Sequence, residues 1–485
     1  MANVSYKLPS LLPIFLTLFL SLPTVTEEAS TNTSLFDVQA SIQKTLDVFS
    51  AVDTSPAAEE ESLHEDKQTT FPSSSSWKSF PLRSRLAVRP TREKDYGSLV
   101  AARLARDSAR VKSIQVRLNR TVNGWKTEDE EKNLAPVESG LSLGMGEYFA
   151  KVGNGAPAKD AYMVVDTGSD FTWIQCQPCS NCYTQKFPIF NPSDSSTFSS
   201  LRCDSGVCRS LKHRKTCRRN AGPCGYNVRY ADGSTSAGEL VTETITFRGS
   251  AAGKIAIGCG HNNAGVFVGA DGSMGLGRGG LSLCSQMSVS SLSYCLVDHN
   301  SKSESTLDFN PPIPAESVFA PLLKSPPGLE AYYYAALTGV SVGHEGMIKI
   351  SPGGGGRIIV DSGTAVTRLP GAVYSRIRDA FVRLLSNNGN GPRPSGSNVA
   401  LFDTCYDLAG TTGKIAVPTV SFHFTDKITL NLPPSNILVA VDTSGTHCFA
   451  FAPATSAIMG NLQQQGMRVT YDLDYPRVGF VPSKC

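Results

Sequence analysis

The sequence predicts a mostly β protein with an internal duplication, preceded by a segment of different composition. From about residue 140 onward, short runs of β-branched and aromatic residues alternate with glycine, proline, asparagine and aspartate, as in strands joined by hairpins. Two similar stretches, AYMVVDTGSDFTW at 161–173 and RIIVDSGTAVTRL at 357–369, lie far apart in the chain. With 485 residues, the chain can bury more than one hydrophobic core.

Residues 1–25 are predicted to be a signal peptide. Lys7 precedes an apolar run from about Leu11 to Pro23, which is shorter than the about 20 residues of a membrane-spanning helix. An uncleaved anchor is the alternative. We expect the secretory pathway, with an extracellular (apoplast), endoplasmic reticulum or vacuolar destination in preference to the chloroplast, and we expect no membrane anchor.

Cysteines are confined to the region from Cys176 to Cys485, which holds all 13 of them. The cluster CQPCSNC at 176–182 has spacings that also occur in zinc sites. Disulfides are favoured behind a signal peptide, because the secretory route is oxidising. The odd count leaves one cysteine unpaired, and the sequence alone does not fix the connectivity. We expect no metal and no other cofactor.

Residues 26–137 are rich in serine, threonine, glutamate and arginine, which indicates weak independent folding. Within them, residues 98–121 predict a basic amphipathic helix, because several apolar residues recur at helical spacing. These residues are Leu99, Val100, Leu104, Val111, Ile114 and Val116. A second helix is predicted at 371–387. The sequons at Asn32 and Asn119 are weak indications of glycosylation.

Asp166 and Asp361 occupy equivalent places in the two similar stretches, each after an apolar run and before a hydroxyl residue and a glycine. A single Asp-Thr-Gly is more often a structural turn, because aspartate and glycine favour turns. A matched pair at strand ends favours catalysis instead. Two close carboxylates share one proton, so one is a base while the other is an acid, and a water between them can be activated.

Residues around the two aspartates have supporting roles in this interpretation. Gly168 and Gly363 allow the backbone to approach the carboxylates closely. The hydroxyls of Thr167 and Ser362 are expected to connect each loop to the backbone of the other.

The motifs DTGS and DSGT, with YNVRYADGSTSAG between them, resemble the pepsin-type aspartic proteases. The cysteine-rich insert, LFDTCYDL, VPTVSFHF, GNLQQQG and YDLDYPRVGF resemble the plant nepenthesin-like branch. The resemblance implies two β-barrel-like lobes with a central cleft, each lobe providing one catalytic aspartate. It implies a signal peptide at 1–25, a prosegment at 26–137, an N-terminal lobe at 138–325 and a C-terminal lobe at 326–485.

The same resemblance implies roles for further residues. Ser169 and Thr364 match positions that hydrogen-bond the outer carboxylate oxygens, and Cys405 and Cys448 match a disulfide of the C-terminal lobe. Cys284 is expected to be the unpaired cysteine. A flap over the substrate is implied by four residues, namely Tyr230, Gly233, Ser234 and Trp173.

The function implied is that of a secreted aspartic endopeptidase, made as a monomeric zymogen and acting on polypeptides. The alternative is a non-enzymatic binding or inhibitor-like protein on the same fold. The basic helix can be an inhibitory propeptide, a solvated face, or a nucleic-acid-binding segment. Residues 1–137 carry 17 basic and 17 acidic side chains, which argues against nucleic acid. The near-neutral remainder suits a mildly acidic working pH.

Overall fold

The fold is described from a computed structural model of the chain. The described residues are 32–50, 78–85, 95–123, 137–138, 148–217, 222–230, 235–247, 250–265, 269–301, 303–350, 356–386, 391–482 and 485. The predicted signal peptide at 1–25 therefore lies outside them. None of the helices in these ranges is long and apolar enough to span a membrane.

The described elements of the segment up to residue 138 are three strands and two helices. They are β1 (Thr33–Asp37), α1 (Val38–Ser50), β2 (Lys78–Ser84), α2 (Tyr96–Asn123) and β3 (Val137–Glu138). Helix α2 confirms the predicted amphipathic helix and extends it by two residues at each end. Its predicted apolar stripe is buried, apart from Val116, which is half-buried.

The first half of the remaining chain is built from strands, with two one-turn helices, α3 (Gly206–Arg209) and α4 (Leu283–Gln286). The strands are β4 (Tyr148–Asn154), β5 (Lys159–Asp166), β6 (Trp173–Gln175), β7 (Ser199–Ser200), β8 (Lys215–Thr216), β9 (Gly225–Tyr230), β10 (Thr235–Phe247), β11 (Ser250–Ala264), β12 (Gly272–Gly275), β13 (Ser291–Cys295) and β14 (Ser305–Phe309).

The second half contains the predicted helix, α5 (Gly371–Ser386), which ends one residue before the predicted boundary. Its strands are β15 (Val318–Leu323), β16 (Tyr334–Ala335), β17 (Leu337–Val342), β18 (Ile348–Lys349), β19 (Ile358–Val360), β20 (Thr367–Pro370), β21 (Cys405–Asp407), β22 (Lys414–Pro418), β23 (Val420–Phe424), β24 (Thr429–Asn431), β25 (Leu438–Ala440), β26 (Thr446–Phe449), β27 (Phe451–Ala454), β28 (Ile458–Met459), β29 (Met467–Asp472) and β30 (Arg477–Pro482).

Most of these strands belong to one large sheet system that contains strands of both halves. Strand β13 of the first half pairs with β29 of the second, and β29 continues into a hairpin with β30. Three smaller sheets accompany it, formed by β1 with β22, by β17, β18, β23 and β24, and by β21, β25 and β26. The predicted mostly β architecture is confirmed.

Side-chain alternation explains why the apolar runs form strands. In the C-terminal part of β10, from Val241 to Phe247, buried residues alternate with half-buried ones, so one face of the strand packs on the core. The runs before the two aspartates are different, because their residues are buried on both faces. Met163, Val164 and Val165 in β5 are at most 6% exposed, as are Ile358, Ile359 and Val360 in β19. Both aspartates are therefore held by interior strands.

Strands from the segment before residue 138 complete sheets of the rest of the molecule. Strand β2 lies between β4 and β14 and pairs antiparallel with each of them. Strand β1 pairs antiparallel with β22, and β3 pairs in parallel with β9. The segment is thus an integral part of this structure, although its composition predicts weak folding on its own.

Candidate active site

The two aspartates lie at the ends of equivalent strands, which fixes their position from the backbone outward. Asp166 is the last residue of β5, where its backbone pairs with Gly275 of β12. Asp361 follows β19, and its backbone N–H donates to the Met459 carbonyl of β28 at 3.1 Å. Both side chains are fully buried. The internal repeat thus places both carboxylates at the junction of the two halves.

The two loops that carry the aspartates are locked to each other by reciprocal hydrogen bonds. The Ser362 backbone N–H donates to Thr167 Oγ1 at 2.9 Å, and the Thr167 N–H donates to Ser362 Oγ at 3.2 Å. The two hydroxyl oxygens are 3.3 Å apart. This is the connection expected from the sequence, and it holds the two loops in register with each other.

Each aspartate also accepts a hydrogen bond within its own loop. The Gly168 N–H donates to Asp166 Oδ1 at 2.9 Å, and the Gly363 N–H donates to Asp361 Oδ1 at 3.0 Å. A Cβ atom at Gly168 would lie only 2.8 Å from Asp361 Oδ1. A side chain at this position would therefore push the opposite carboxylate away, which explains the need for glycine.

The expected hydrogen bonds to the outer carboxylate oxygens are formed on one side only. Thr364 Oγ1 donates to Asp361 Oδ2 at 2.5 Å. The expected bond from Ser169 to Asp166 is absent, and within the described residues Ser169 Oγ and Asp166 Oδ2 have no partner. The prediction for Ser169 is wrong for this structure, in which Asp166 is held through Oδ1 alone, by Gly168 and by an arginine of helix α2.

That arginine is Arg110, which the sequence analysis did not select. Its Nη2 lies 2.7 Å from Asp166 Oδ1 and 2.8 Å from Asp361 Oδ1, and its Nε donates to Asp361 Oδ2 at 3.0 Å. Nε also lies 3.2 Å from Thr364 Oγ1. The Arg110 side chain is only 1% exposed, so one guanidinium occupies the space between the two carboxylates.

A sequence signal for Arg110 does exist in the helix. Asp107 and Arg110 lie three residues apart, on the apolar stripe that also contains Leu104 and Ile114. Charged residues on the buried stripe of an amphipathic helix need a partner, because an unpaired buried charge is strongly unfavourable. This pattern predicts that Asp107 and Arg110 contact oppositely charged residues elsewhere in the chain, but it does not identify those residues.

The electrostatics of the site are set by burial and by these three charges. Burial raises the pKa of the Asp361 carboxyl above its ordinary value; the Arg110 charge lowers that pKa, and the Asp166 charge raises it. Burial disfavours the charged form of Arg110, but the two carboxylates outweigh this and raise the guanidinium pKa. The arginine is therefore charged at every relevant pH, and burial together with the Asp166 charge favours the protonated form of Asp361.

The predicted flap is described only in part. Tyr230 ends strand β9, which pairs with β10 as the first arm of a hairpin, and its side chain lies outside the described residues. Gly233 and Ser234 fall in the turn at 231–234, which is also outside them. Trp173 begins β6 and is fully buried, with its backbone paired to Gly258 of β11. The predicted flap role of these residues stays a prediction.

All 13 cysteines are described, and 12 of them form disulfides. The bonds are Cys176–Cys259, Cys179–Cys182, Cys203–Cys217, Cys208–Cys224, Cys295–Cys485 and Cys405–Cys448. Cys284 is free and buried, and burial raises the pKa of its thiol to about 12. The zinc alternative for the cluster at 176–182 has no support here, because its three sulfurs are in disulfides and cannot be thiolate ligands.

Comparison with known proteins agrees with this geometry. Residues 148–309 match the family model described as xylanase inhibitor N-terminal, and residues 332–482 match xylanase inhibitor C-terminal. The chain is 41% identical to "Protein ASPARTIC PROTEASE IN GUARD CELL 2" of Arabidopsis thaliana, over 79% of this chain and 83% of that protein. It belongs to the pepsin-like aspartic proteases of plants.

Other members of this protease family are similarly related. "Aspartyl protease family protein 2" of Arabidopsis thaliana is 43% identical, over 80% of this chain and 81% of that protein. "Aspartic proteinase nepenthesin-2" of Nepenthes gracilis is 38% identical, over 72% and 80%. As a member of the family, the chain is an aspartic-type endopeptidase with a two-domain, mostly β fold.

Solved structures show the same fold at much lower identity. Conglutin gamma, a basic 7S globulin from lupine seeds, aligns with a TM-score of 0.53 at 16% identity, over 69% of this chain and 90% of that one. The structure titled "edgp" aligns with a TM-score of 0.54 at 19% identity, over 69% and 91%. At this identity the likeness concerns the fold alone.

Proposed function

We propose that Asp166 and Asp361 are the catalytic pair of this endopeptidase and that they hydrolyse a peptide bond through one water held between them. The observation that carries the proposal is the Arg110 guanidinium. One nitrogen lies 2.7 Å and 2.8 Å from the two carboxylates, so both converge on a single point that one small polar group can occupy. A water at that point is within hydrogen-bond distance of both groups.

The chemistry follows from the shared proton of the pair. The ionised carboxylate removes a proton from the water as its oxygen attacks the peptide carbonyl carbon, while the protonated carboxyl gives its proton to the carbonyl oxygen. The tetrahedral intermediate then collapses: one of its hydroxyls gives a proton to the ionised carboxylate as the carbonyl re-forms, the C–N bond breaks, and the leaving nitrogen receives the proton of the other carboxyl. No covalent bond to the enzyme forms, and the pair regains its single proton.

We assign supporting roles to the residues around the pair. Gly168 and Gly363 keep space for the water and the scissile bond, and the lock between Thr167 and Ser362 keeps the two carboxylates at a fixed separation. The flap residues predicted from the sequence, Tyr230, Gly233, Ser234 and Trp173, would close over an extended peptide and exclude water.

We further propose that the described structure is the zymogen, with residues 26–137 as its prosegment and with lobes at 138–325 and 326–485. Arg110 occupies the place of the catalytic water, so no substrate can be hydrolysed while helix α2 is in position.

Six disulfides support passage through the secretory pathway. Arg110 is buried in the cleft, which favours an inhibitory propeptide over a nucleic-acid-binding segment. We expect a monomer with a polypeptide substrate.

Acidification is expected to release the prosegment. Within the zymogen, the Arg110 charge lowers the pKa of Asp361 relative to the pKa that burial and Asp166 alone would produce. Without Arg110, the carboxyl binds its proton more tightly, so protonation favours the state in which the helix has left. The inhibited state is therefore stable near neutrality and loses stability as the pH falls.

The test compares the acidified full chain with Asp166→Asn and Asp361→Asn variants on an internally quenched peptide. We expect pepstatin-sensitive cleavage by the parent chain and a loss of at least about 100-fold in kcat in each variant. Asp160→Asn is the control, because Asp160 is a half-buried residue of the same strand as Asp166, away from the site and paired with Lys151. No cleavage by the parent chain would favour the non-enzymatic binding protein, and unchanged activity in either test variant would contradict the assignment of the pair as catalytic.

A further inference from the structure

Helix α2 makes a second charged contact with the cleft, one turn before Arg110. Asp107 is 2% exposed. Its Oδ1 accepts hydrogen bonds from the backbone N–H groups of Ala365, at 2.6 Å, and Val366, at 3.4 Å. Its Oδ2 lies 2.5 Å from Arg368 Nη2. One carboxylate is thus held by a guanidinium and two backbone donors.

The receiving side of this contact belongs to the catalytic loop itself. Ala365 and Val366 directly follow Thr364, which donates to Asp361. Arg368 lies in strand β20, where its backbone pairs with Ala452 of β27. The groups that hold the Asp107 carboxylate therefore lie within seven residues of Asp361 in the chain, next to the two catalytic carboxylates.

Arg368 is held in place by its own lobe as well as by the helix. Its Nη1 donates to the Val366 carbonyl at 3.0 Å, and the residue is 3% exposed. Within the described part of the chain, Asp107 is the only acidic side chain paired with it. When the helix leaves, the guanidinium and the two N–H groups keep their orientation, but they lose their anionic partner.

We propose that Arg368, with the backbone N–H groups of Ala365 and Val366, is a subsite of the substrate cleft that accepts an aspartate or glutamate side chain near the scissile bond. This proposal rests on the proposed function, in which α2 occupies the cleft of the zymogen. Asp107 then takes the place of the acidic substrate residue, as Arg110 takes the place of the water.

Physical chemistry favours an acidic residue over a neutral one at this position. A guanidinium and N–H donors make charge-assisted hydrogen bonds with a carboxylate, and these are about twice as strong as bonds between neutral groups. A neutral side chain would leave a buried arginine without a counter-charge, which is costly. A site built from polar groups therefore rejects substrates that lack the matching group.

The alternative is that the contact of Asp107 with Arg368 only anchors the prosegment. The two interpretations make different predictions for the activated enzyme, in which helix α2 has left and Asp107 no longer contacts Arg368. An anchor predicts that Arg368 affects activation only. A subsite predicts that Arg368 affects which peptides are cleaved after activation is complete.

The test uses the full chain activated at acid pH, with the active enzyme counted by pepstatin titration. Cleavage sites in a proteome-derived peptide library are first mapped near pH 5, where aspartate and glutamate are largely ionised. Two peptides that differ only as Asp and Asn at the enriched position are then compared. The parent chain is expected to cleave the Asp peptide with at least about tenfold higher kcat/KM.

The variant Arg368→Gln is expected to reduce this ratio to about one, because it lowers kcat/KM for the Asp peptide and removes the penalty that an uncompensated arginine imposes on the Asn peptide. Arg383→Gln is the control, because Arg383 is an exposed arginine of the same lobe that pairs with Glu345. Arg368→Lys keeps a positive charge, so it should fold and retain a ratio above one, which guards against a loss of folding in Arg368→Gln.

Two results would overturn the subsite: a parent chain with no acidic enrichment at any position, or an Asp-to-Asn ratio unchanged in Arg368→Gln. Cleavage of the neutral peptide in either case leaves the proposed function intact. A parent chain that cleaves neither peptide would count against the proposed function and the subsite together.

Discussion

At the scale of single residues, Arg110 places its guanidinium where the carboxylates of Asp166 and Asp361 converge. The group makes contacts of 2.7–3.0 Å with both and is shielded from solvent. Pairing of a buried arginine with two buried carboxylates satisfies all three charges, but the removal of one partner leaves the others uncompensated. The stability of the inhibited state therefore depends on this one side chain.

We expect the full-length Arg110→Gln variant to be active without acid treatment. Loss of a partner from a buried charge cluster costs about 3–5 kcal/mol, which corresponds to more than a 100-fold shift toward the state with a displaced helix. Hydrolysis of a quenched peptide at pH 6.5 should rise at least about tenfold over the parent chain. Lys112→Gln is the control, because Lys112 is exposed on the same helix; equal activity of both variants would contradict the role of Arg110.

The lock between Thr167 and Ser362 also acts at this scale. Ser362→Ala removes the acceptor of the buried Thr167 N–H, and an unsatisfied buried donor costs about 1–3 kcal/mol. We expect a lower free energy of unfolding by about that amount, measured by chemical denaturation, and lower kcat in the activated enzyme. Ser362→Thr keeps the hydroxyl and should behave like the parent chain. If Ser362→Ala also matched the parent, the lock would have no energetic role.

At the scale of elements, the sequence predicts the strands and helices that its local pattern determines. The strand at 161–166 and the helices at 98–121 and 371–387 are confirmed, whereas the run at 357–363 forms a strand only over Ile358–Val360. Strand β2 is not predicted, because its sequence KSFPLRS is mixed in polarity and contains a proline. Its strand conformation depends on pairing with β4 and β14, which lie more than 60 and 200 residues away along the chain.

In the candidate site, too, the residues marked by the local sequence are predictable, and those that depend on distant contacts are not. Asp166, Asp361 and the hydroxyl lock are predictable, because the internal repeat marks them within the sequence itself. Arg110 and Arg368 are not, because nothing in the local pattern tells which distant charge each would meet.

The Cys405–Cys448 disulfide joins neighbouring strands β21 and β26 across a sequence separation of 43 residues. In the chain-entropy model, the loss of such a closed loop lowers stability by roughly 4 kcal/mol. We expect the double variant Cys405→Ala and Cys448→Ala to show this decrease in denaturant unfolding. Cys284→Ala, which removes a buried thiol without a disulfide, should cost distinctly less. Equal effects would mean that the disulfide adds nothing beyond packing.

At the scale of the whole molecule, the proposed prosegment contacts both halves. Strand β1 pairs with β22 in the second half, β2 lies between β4 and β14 of the first, and helix α2 reaches the carboxylates at the junction between them. We therefore expect the contact of Arg110 with the carboxylates to make inhibition by this segment depend on pH, and the strand contacts to add to its binding affinity.

A peptide of residues 95–123 should inhibit the acid-activated enzyme when added separately. Because Arg110 lowers the pKa of Asp361, binding of the peptide releases protons, and inhibition should strengthen as the pH rises from about 4 toward 6. The measurement is the inhibition constant as a function of pH. An Arg110→Gln peptide should inhibit at least about tenfold more weakly; inhibition that is independent of pH would contradict the linkage.

The strand contacts of the prosegment have a consequence for the order of events in activation. Because all 13 cysteines lie after residue 175, no disulfide ties the prosegment to the lobes, and only the chain itself and non-covalent contacts do so. A cut near residue 138 would leave a fragment that is still attached through β1, β2, β3 and α2, and each attachment raises the effective concentration of the others. Cleavage of the chain and release of the segment are then separate steps, and a cleaved molecule that still binds the segment remains inactive. Active enzyme appears only once helix α2 has left the two carboxylates, so activation should show a lag after the chain is cut.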